Sequence, residues 1–215
     1  RDVDKLHFVG SAKTGRQLMV YSGQSNGKPV MLELGGKSPN IVFEDAADLK
    51  SLGAALAQAA FYNTGQLCVA RTRLIVHENI KEKILTAIYQ ETKNVFRIGN
   101  PLDEQTTLGP IASRQQYERV CNYLDIGKNE GADLQIIPTA GAIPASQKEK
   151  GYFVQPGIFD NAQNNMRICQ EEIFGPVISV ISFKTDDEAI QIANGVDYGL
   201  GATAWTKDLS RARRL

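Results

Sequence analysis

Two residues of this chain, Cys68 and Glu33, combine a side chain suited to covalent chemistry with a turn that can present it. Cys68 ends the run 61–68, whose polar, turn-forming residues precede a strand-like segment, so the thiol can project into a cleft. A thiolate is the nucleophilic form of cysteine. Glu33 lies between two leucines and before Gly35 and Gly36, where the chain can turn sharply and approach another backbone closely. The pair therefore predicts nucleophilic chemistry at sulfur with a carboxylate as general base.

The other two cysteines are predicted to be inert. Cys121 lies on the apolar side of a helical pattern, and Cys169 has no helical pattern around it, so both are interpreted as small buried hydrophobes. A rival hypothesis is a thiol hydrolase, in which His7 or His77 would have to lie within hydrogen-bond reach of Cys68. We disfavour it because His77 follows a strand that carries it away. No clustered metal ligands are present in the sequence.

Two further segments are weaker candidates for ligand contacts. Gly10 and Ser11 begin a turn between a strand and a helix, whose backbone N–H groups could hold a phosphate, although ordinary strand-to-helix turns look the same. Glu171 and Glu172 precede the clearest strand of the chain, together with Phe174. Adjacent acidic residues usually face solvent, but this strand entry could instead hold an acid and an aromatic ring against a ligand.

Composition excludes several classes of function. The 215 residues include 42% hydrophobic and 22% charged residues, which favours a folded core over disorder. Lys and Arg number 24, as do Asp and Glu, so net charge gives no reason to expect nucleic acid or an anionic membrane as partner. No apolar run is long enough to span a bilayer, and an odd number of cysteines without close pairing favours a reducing, cytoplasmic setting.

Strand-like runs alternate with helical patterns, which predicts an α/β fold with a mainly parallel sheet flanked by helices. Pro156 predicts that the extended run 153–159 is an edge strand or a bulge. Ser113 with Gln116, and Thr185 with Glu188, have the spacing of capping boxes. Residues 97–109 and 138–151 are predicted loops. The predicted strands are 6–9, 40–43, 73–77, 134–137, 153–159, 176–183 and 202–206, and the predicted helices are 16–21, 47–61, 80–95, 113–127, 185–193 and 208–215. The first strand is predicted to be buried. The helix 47–61 is predicted to have Leu49, Leu52 and Leu56 on one side, and its many alanines should let it pack close to a neighbour.

Taken together, these segments resemble the aldehyde dehydrogenase superfamily along nearly the whole chain and in the right order. Residues 32–39 are similar to the family's glutamate signature, and residues 61–68 to its cysteine signature. The segments 100–103, 108–110, 171–176 and 198–200 also match the family pattern. Each short match is moderately specific, whereas the ordered set is highly specific.

The resemblance implies a reaction and a role for each residue. Cys68 would attack the aldehyde carbon, its backbone N–H would help to hold the oxyanion, and Glu33 would activate water to hydrolyse the thioester. NAD or NADP would be the cofactor. Glu172 would bind hydroxyls of its nicotinamide ribose, and Phe174 would pack near the ring. Gly10 and Ser11 would lie beside its pyrophosphate, whereas Lys37 and Arg73 would be structural.

The resemblance also implies what surrounds this segment. Both ends of the chain look cut, so residues 1–35 would be the tail of a cofactor domain and residues 36–215 an incomplete catalytic domain. The oxyanion-hole asparagine, the residues that grip the adenosine ribose and the assembly strand would lie elsewhere in the parent protein, a homodimer or homotetramer. We therefore expect little activity from this segment alone, and a non-catalytic scaffold or binding fragment is the alternative. The aldehyde, and the choice between NAD and NADP, cannot be read from these residues.

Overall fold

The computed structural model describes residues 2–46, 48–143 and 151–215. The predicted start of a helix at residue 47, and residues 144–150 of the predicted surface loop, lie outside the described residues. The strands are β1 Leu6–Val9, β2 Val30–Glu33, β3 Pro39–Val42, β4 Arg73–His77, β5 Arg97–Ile98, β6 Asp133–Ile136, β7 Ala140–Gly141, β8 Gly157–Asp160, β9 Val177–Phe183 and β10 Thr203–Trp205. The α-helices are α1 Ala12–Gly23, α2 Leu49–Phe61, α3 Lys81–Val95, α4 Arg114–Asn129, α5 Arg167–Gln170, α6 Asp186–Asn194 and α7 Leu209–Arg214.

The main sheet has six strands in the order β10-β3-β4-β9-β8-β6. All neighbours in it are parallel except β6, which runs antiparallel to β8. A separate parallel pair, β1 with β2, carries α1, and a third small sheet joins β5 to β7. This arrangement confirms the predicted α/β class with a mainly parallel sheet.

Alternation along the strands sends side chains to both faces of the main sheet, which are both covered. On one face, Val42, Leu74 and Val76 pack in a cluster with buried residues of α2 and α3. On the other face, Ile41 and Ile75 pack against α6, and a further cluster beside them includes residues of α4. Burial on both faces explains why β4 is a continuous apolar run rather than an alternating one.

Helices α2 and α3 approach each other closely at Gly53. A Cβ atom at this glycine would lie 2.7 Å from the Cβ of Ala87, so a larger residue would push the helices apart. The small residues of α2 therefore have the packing role that the sequence suggested. Leu52 and Leu56 face the core, whereas Leu49, predicted to lie on the same side, is 38% exposed at the start of the helix.

Several other local predictions are wrong. The predicted loop 97–109 contains β5, and the predicted loop 138–151 contains β7. Strand β8 is interior, because it pairs with both β6 and β9; Pro156 precedes the strand, so its missing N–H removes no ladder bond. β1 is not buried but alternates between half-buried and exposed residues. Cys169 lies in the short helix α5, although it is buried as expected.

The two predicted capping boxes form only in part. Ser113 accepts a hydrogen bond from the Gln116 N–H, but the Gln116 side chain points elsewhere and does not return to Ser113. Thr185 accepts from the Glu188 N–H, and the Glu188 carboxylate accepts from the N–H of Lys184. No helix in the described ranges has the length and apolar character that crossing a membrane requires.

Candidate active site

A cavity of about 590 Å³ lies between the β1–β2 unit and the main sheet, and it collects all six residues that the sequence singled out. Gly10 and Ser11 follow the carboxyl end of β1, and Glu33 ends β2, which is where ligands bind in open α/β sheets. From the other side come residues that precede β4 and β9. The six are Gly10, Ser11, Glu33, Cys68, Glu172 and Phe174.

The thiol turn, residues 62–68, has an unusual backbone. Asn63, Thr64 and Gly65 all have positive φ, at 51°, 57° and 69°, and such a conformation is costly for a β-branched residue such as Thr64. The Thr64 hydroxyl donates to the carbonyl of Gly109 at 3.1 Å, which ties the turn to a distant loop. The Gln66 side chain accepts from the N–H of Ala112 at 2.9 Å. These contacts hold Cys68 at the cavity wall, where it is half-buried.

The thiol turn touches the segment that follows Glu33. A Cβ atom on Gly36 would lie 2.5 Å from the carbonyl oxygen of Cys68, so only glycine permits this approach. Glu33 itself is exposed at the cavity mouth, and its carbonyl accepts from the N–H of Gly10 at 3.0 Å. Within the described ranges, the N–H of Cys68 donates no hydrogen bond, so it is available to an oxyanion.

The adjacent acids Glu171 and Glu172 have opposite environments. Glu172 reaches into the cavity, and its carboxylate accepts from the N–H of Gly36 at 3.1 Å. Burial raises the pKa of Glu172, although this hydrogen bond and the charge of Arg119 oppose the rise. Glu171 turns away and pairs with Arg167 at 2.7 Å, and the hydrogen bond from Arg167 lowers its pKa. Only Glu172 is placed to bind a ligand in the cavity, so the pair is not simply solvent-facing.

Phe174 is held in a strained conformation with φ at 59°. The side-chain amide of Gln116 on α4 donates to two successive carbonyls, those of Ile173 at 2.9 Å and Phe174 at 3.0 Å. The strain is local to the cavity wall, where such conformations are often found at functional sites. Gln116 lines the cavity, but the sequence missed it because its spacing from Ser113 suggested a capping role.

Arg119, one turn along α4, is the second cavity residue that the sequence did not identify. Its guanidinium donates to the carbonyl of Glu172 at 2.7 Å and lies 5.5 Å from the centre of the Tyr123 ring. Burial, together with the hydrogen bond to Glu171, raises the pKa of Tyr123 to about 12, so this phenol stays protonated and donates to Glu171. The i, i+3 spacing of Gln116 and Arg119 was the available signal, since it puts both on one face of a helix.

Lys37 and Arg73 lie beneath the site and are fully buried. Arg73 donates to the carbonyls of Lys37, Ile192 and Ala193 and to the side chain of Asn164. The Lys37 ammonium has no hydrogen-bond partner among the described residues, and burial lowers its pKa to about 8. The contacts of Arg73 support the structural role expected for it.

The residues of the cavity fit a dinucleotide. Ser11 caps α1, a helix of 12 residues whose N-terminus faces the cavity with Lys13 beside it, and such a terminus attracts phosphate. The carboxylate of Glu172 can accept hydrogen bonds from hydroxyl groups of a ligand, and Phe174 adds an aromatic side chain to the lining. Neither histidine lines the cavity with Cys68, which counts against the thiol hydrolase. The described residues contain no group of three or more His, Cys, Asp or Glu that could hold a metal ion.

Comparisons with known proteins agree on one family. The model of the aldehyde dehydrogenase family matches residues 1–215. The chain is 42% identical over 212 residues to betaine aldehyde dehydrogenase of Brucella anthropi, covering 98% of this chain and 42% of that protein. It is 44% identical over 214 residues to the peroxisomal aminoaldehyde dehydrogenase 1 of Pisum sativum, covering 100% of this chain and 41% of that protein.

Solved structures give the same result. The structure of an indole-3-acetaldehyde dehydrogenase in complex with NAD+ superposes with a TM-score of 0.92 at 44% identity, over 99% of this chain and 42% of that one. The aldehyde dehydrogenase KauB of Pseudomonas aeruginosa superposes with a TM-score of 0.91 at 46% identity, again over 99% of this chain and 42% of that one. The chain thus spans less than half the length of the relatives it matches.

Proposed function

Because the chain belongs to the aldehyde dehydrogenase family, we propose that the whole protein oxidises an aldehyde to a carboxylic acid with NAD or NADP. The observation that carries the proposal is the single cavity that Cys68 shares with Glu33, Glu172, Phe174 and the Gly10–Ser11 turn. The presence of NAD+ in the related indole-3-acetaldehyde dehydrogenase supports the choice of cofactor. Relatives named for betaine aldehyde, aminoaldehyde and indole-3-acetaldehyde do not agree on a substrate.

The first step is attack of the Cys68 thiolate on the aldehyde carbon. The new carbon–sulfur bond turns the carbonyl oxygen into an oxyanion, and the unengaged N–H of Cys68 can donate to it. A bound NAD or NADP would supply the acceptor for the hydride of this tetrahedral carbon, and Cys68 would then carry the thioester. A free aldehyde holds its hydride too tightly for direct loss, so the sulfur adduct is the reason for a cysteine at this position.

Glu33 completes the reaction from the cavity mouth. Its carboxylate takes a proton from water as the water oxygen attacks the thioester carbon, and the carbon–sulfur bond breaks to release the carboxylic acid and the Cys68 thiolate. The exposure of Glu33 suits this role, since water reaches it directly. Glu172 and Phe174 would hold the nicotinamide riboside of a bound cofactor, and the N-terminus of α1 would face its phosphates.

We further propose the organisation that the resemblance implies. The β1–β2 unit, ending near residue 35, belongs to the cofactor domain, and residues 36–215 belong to the catalytic domain; the separation of the two sheets supports this boundary. All three cysteines are free, which supports a reducing, cytoplasmic setting. We propose that the parent protein is a homodimer or homotetramer. Residues 1–215 alone should bind cofactor weakly, since the expected adenosine-binding residues are not among them.

The decisive experiment separates the two chemical roles by rapid kinetics on the full-length protein. Cys68→Ala should abolish both the first-turnover burst of reduced cofactor and steady-state turnover. Glu33→Gln should keep the burst but lower steady-state turnover roughly 10²- to 10⁴-fold, the range typical of a lost general base. Cys121→Ser and Glu104→Gln are matched controls outside the cavity and should change neither phase.

The non-catalytic alternative makes a different prediction. A scaffold fragment would show no aldehyde-dependent protection of Cys68 against a thiol reagent and no binding of nicotinamide cofactor. Normal turnover by the full-length Cys68→Ala variant would refute the proposed mechanism. If the Glu33→Gln variant showed no burst of reduced cofactor, Glu33 could not act only in the hydrolytic step.

A further inference from the structure

A second groove, of about 510 Å³, borders the thiol turn. Leu67 and Val69, the two neighbours of Cys68, both line it, and Leu67 also lines the cofactor cavity. The groove and the cavity therefore share a wall at Leu67, next to Cys68. We call the groove the Arg71 groove, after the single charged residue among those that line it; Tyr62 and Trp205 add aromatic surface.

The Arg71 side chain is held in place rather than loose in solvent. Its Nε donates to the hydroxyl of Thr203 at 3.1 Å, and another N–H donates to the carbonyl of Val69. Its guanidinium lies against Gly201, where a Cβ atom would be 3.3–3.4 Å from three of the guanidinium atoms. The charge is thus positioned three residues after the nucleophile, with its orientation fixed by two elements of the fold.

This arginine has no acidic partner among the residues that the structure describes. None of the ion pairs in the described part of the chain includes Arg71, although Arg167, Arg211 and Arg214 each pair with a carboxylate. No Asp or Glu is among the described residues that line the groove. A guanidinium has five N–H donors in a planar fork that matches a carboxylate, and Arg71 uses only part of this set. A carboxylate in the groove would accept from the N–H groups of Arg71 that these bonds leave over.

We propose that the Arg71 groove receives the distal part of the substrate and that Arg71 binds a carboxylate there, so that the preferred substrates are ω-oxo acids. The proposal rests on the proposed function and deepens it by naming a substrate class. The apolar walls contact the methylene chain, and the aldehyde end reaches Cys68 past Leu67. An ammonium-bearing aldehyde is disfavoured, because repulsion by Arg71 opposes the cation–π attraction of Tyr62 and Trp205.

The first test measures kcat/KM on the full-length protein for ω-oxo acids of four, five and six carbons, and for unbranched alkanals of the same lengths. We expect at least a tenfold preference for the oxo acid at one or more lengths. Arg71→Gln should reduce that preference at least tenfold while changing kcat/KM for alkanals less than threefold. Arg213→Gln, an exposed arginine that does not line the groove, is the charge-matched control and should leave the preference intact.

The second test needs no oxidation of aldehydes. The rate of alkylation of Cys68 is compared for N-(3-carboxypropyl)iodoacetamide and N-butyliodoacetamide, which have similar length and differ in charge. The anionic reagent should react at least fivefold faster, and Arg71→Gln should abolish the difference. If Cys68 shows this preference but no aldehyde is oxidised, the proposed function fails and the carboxylate site stands.

Three outcomes overturn the carboxylate site. Aldehyde oxidation without any charge preference refutes it and leaves the proposed function intact. Equal losses for oxo acids and alkanals in Arg71→Gln also refute it, because they show that Arg71 only supports the thiol turn through Val69 and Thr203. A higher kcat/KM for 4-aminobutanal than for 4-oxobutanoate refutes it in the same way.

Discussion

At the scale of single residues, Lys37 has the least favourable environment of any side chain in the described structure. It is 1% exposed, and its ammonium donates to no described partner. Burial is the main reason why its pKa falls from 10.5 to about 8; the nearby Cys169 opposes the fall and Arg73 adds to it. The N–H of the preceding residue, Gly36, donates to the carboxylate of Glu172, so Lys37 lies next to the cavity that Glu172 and Cys68 line.

We predict that Lys37→Met stabilises the protein at neutral pH. The pKa of Lys37 in the folded protein, about 8, is below the ordinary lysine value of 10.5. Below pH 8 the buried charge therefore costs stability, on the order of 3 kcal/mol. Between pH 8 and 10.5 the unfolded chain binds a proton that the folded chain lacks, so this cost disappears as the pH rises. Urea unfolding at pH 7, 9 and 10 should show an advantage for Lys37→Met that shrinks with pH.

The exposed Lys50 provides the control for this experiment. Lys50→Met should change the free energy of unfolding only slightly, and this change should not shrink as the pH rises. A variant Lys37→Met that is less stable than the wild type at every pH would show that the ammonium makes a favourable interaction. Comparing two proteins at each pH cancels the titration of all the other groups.

The candidate site was predictable where residue type and local turn point to the same chemistry. Cys68 and Glu33 stand out because a thiol and a carboxylate follow or precede glycine-rich turns. Gln116 and Arg119 do not, because an amide and a guanidinium on a polar helix face look like ordinary surface residues. Their role depends on the approach of a loop more than fifty residues away, and spacing along the chain cannot show this.

At the scale of elements, the thiol turn depends on Gly65 for two separate reasons. Its φ of 69° is in the left-handed region, and a Cβ atom at this position would overlap the carbonyl of Gly175. Because Gly65 has no Cβ atom, the turn can pack against the loop that contains Glu172 and Phe174. Gly131, which follows α4, shares the left-handed φ, at 93°, but a Cβ there would meet nothing within 4 Å.

These two glycines give a matched pair of variants. Gly131→Ala should cost about 1–2 kcal/mol, the strain of a left-handed alanine. Gly65→Ala should cost at least about 2 kcal/mol more, because backbone must also move. It should also slow the alkylation of Cys68, which Gly131→Ala should not affect. Thermal unfolding and a thiol-labelling assay measure both effects, and equal losses of stability would contradict the predicted overlap.

Most elements could be predicted, but their neighbours could not. Apolar runs marked β3, β4 and β9, and the serine and threonine caps marked the starts of α4 and α6. Pro156 misled the interpretation of β8, since a proline just before a strand and a proline inside one give similar patterns. Pairing order is a long-range property, so nothing local indicated that β8 is interior.

At the scale of the whole molecule, Arg73 joins the start of β4 to residues that lie 91 to 120 positions later in the chain. It begins β4, yet its guanidinium donates to the carbonyls of Ile192 at 2.6 Å and Ala193 at 2.7 Å, at the end of α6. A further bond reaches Asn164 at 3.1 Å. The planar fork of arginine is needed, because one compact ammonium cannot reach these acceptors together.

We predict that Arg73→Lys destabilises the protein by about 3–5 kcal/mol, the usual cost of leaving buried polar groups without their charged partner. Chemical denaturation measures the loss. The exposed Arg114 supplies the control, and Arg114→Lys should change stability by less than about 0.5 kcal/mol. A loss below about 1 kcal/mol for Arg73→Lys would mean that water replaces the missing hydrogen bonds.

The alternation of strand-like and helical patterns predicted the fold class. The order of the motifs along the chain predicted the family. The separation of the β1–β2 pair from the six-stranded sheet was not visible in the apolar patterns, because both contain short runs of the same kind. Only the family resemblance predicted a domain boundary near residue 35. The position of β10 beside β3 also required the structure, since these partners are separated by most of the chain.

The order of strands in the main sheet also determines what happens while the chain is being made. β4 forms its second ladder with β9, which leaves the ribosome about a hundred residues later, or roughly 5–20 seconds at ordinary rates of translation. During this interval Leu74, Ile75 and Val76 belong to a strand with one open edge, and such edges invite pairing with other nascent chains. Chaperones that bind extended apolar segments would therefore be needed most before β9 emerges.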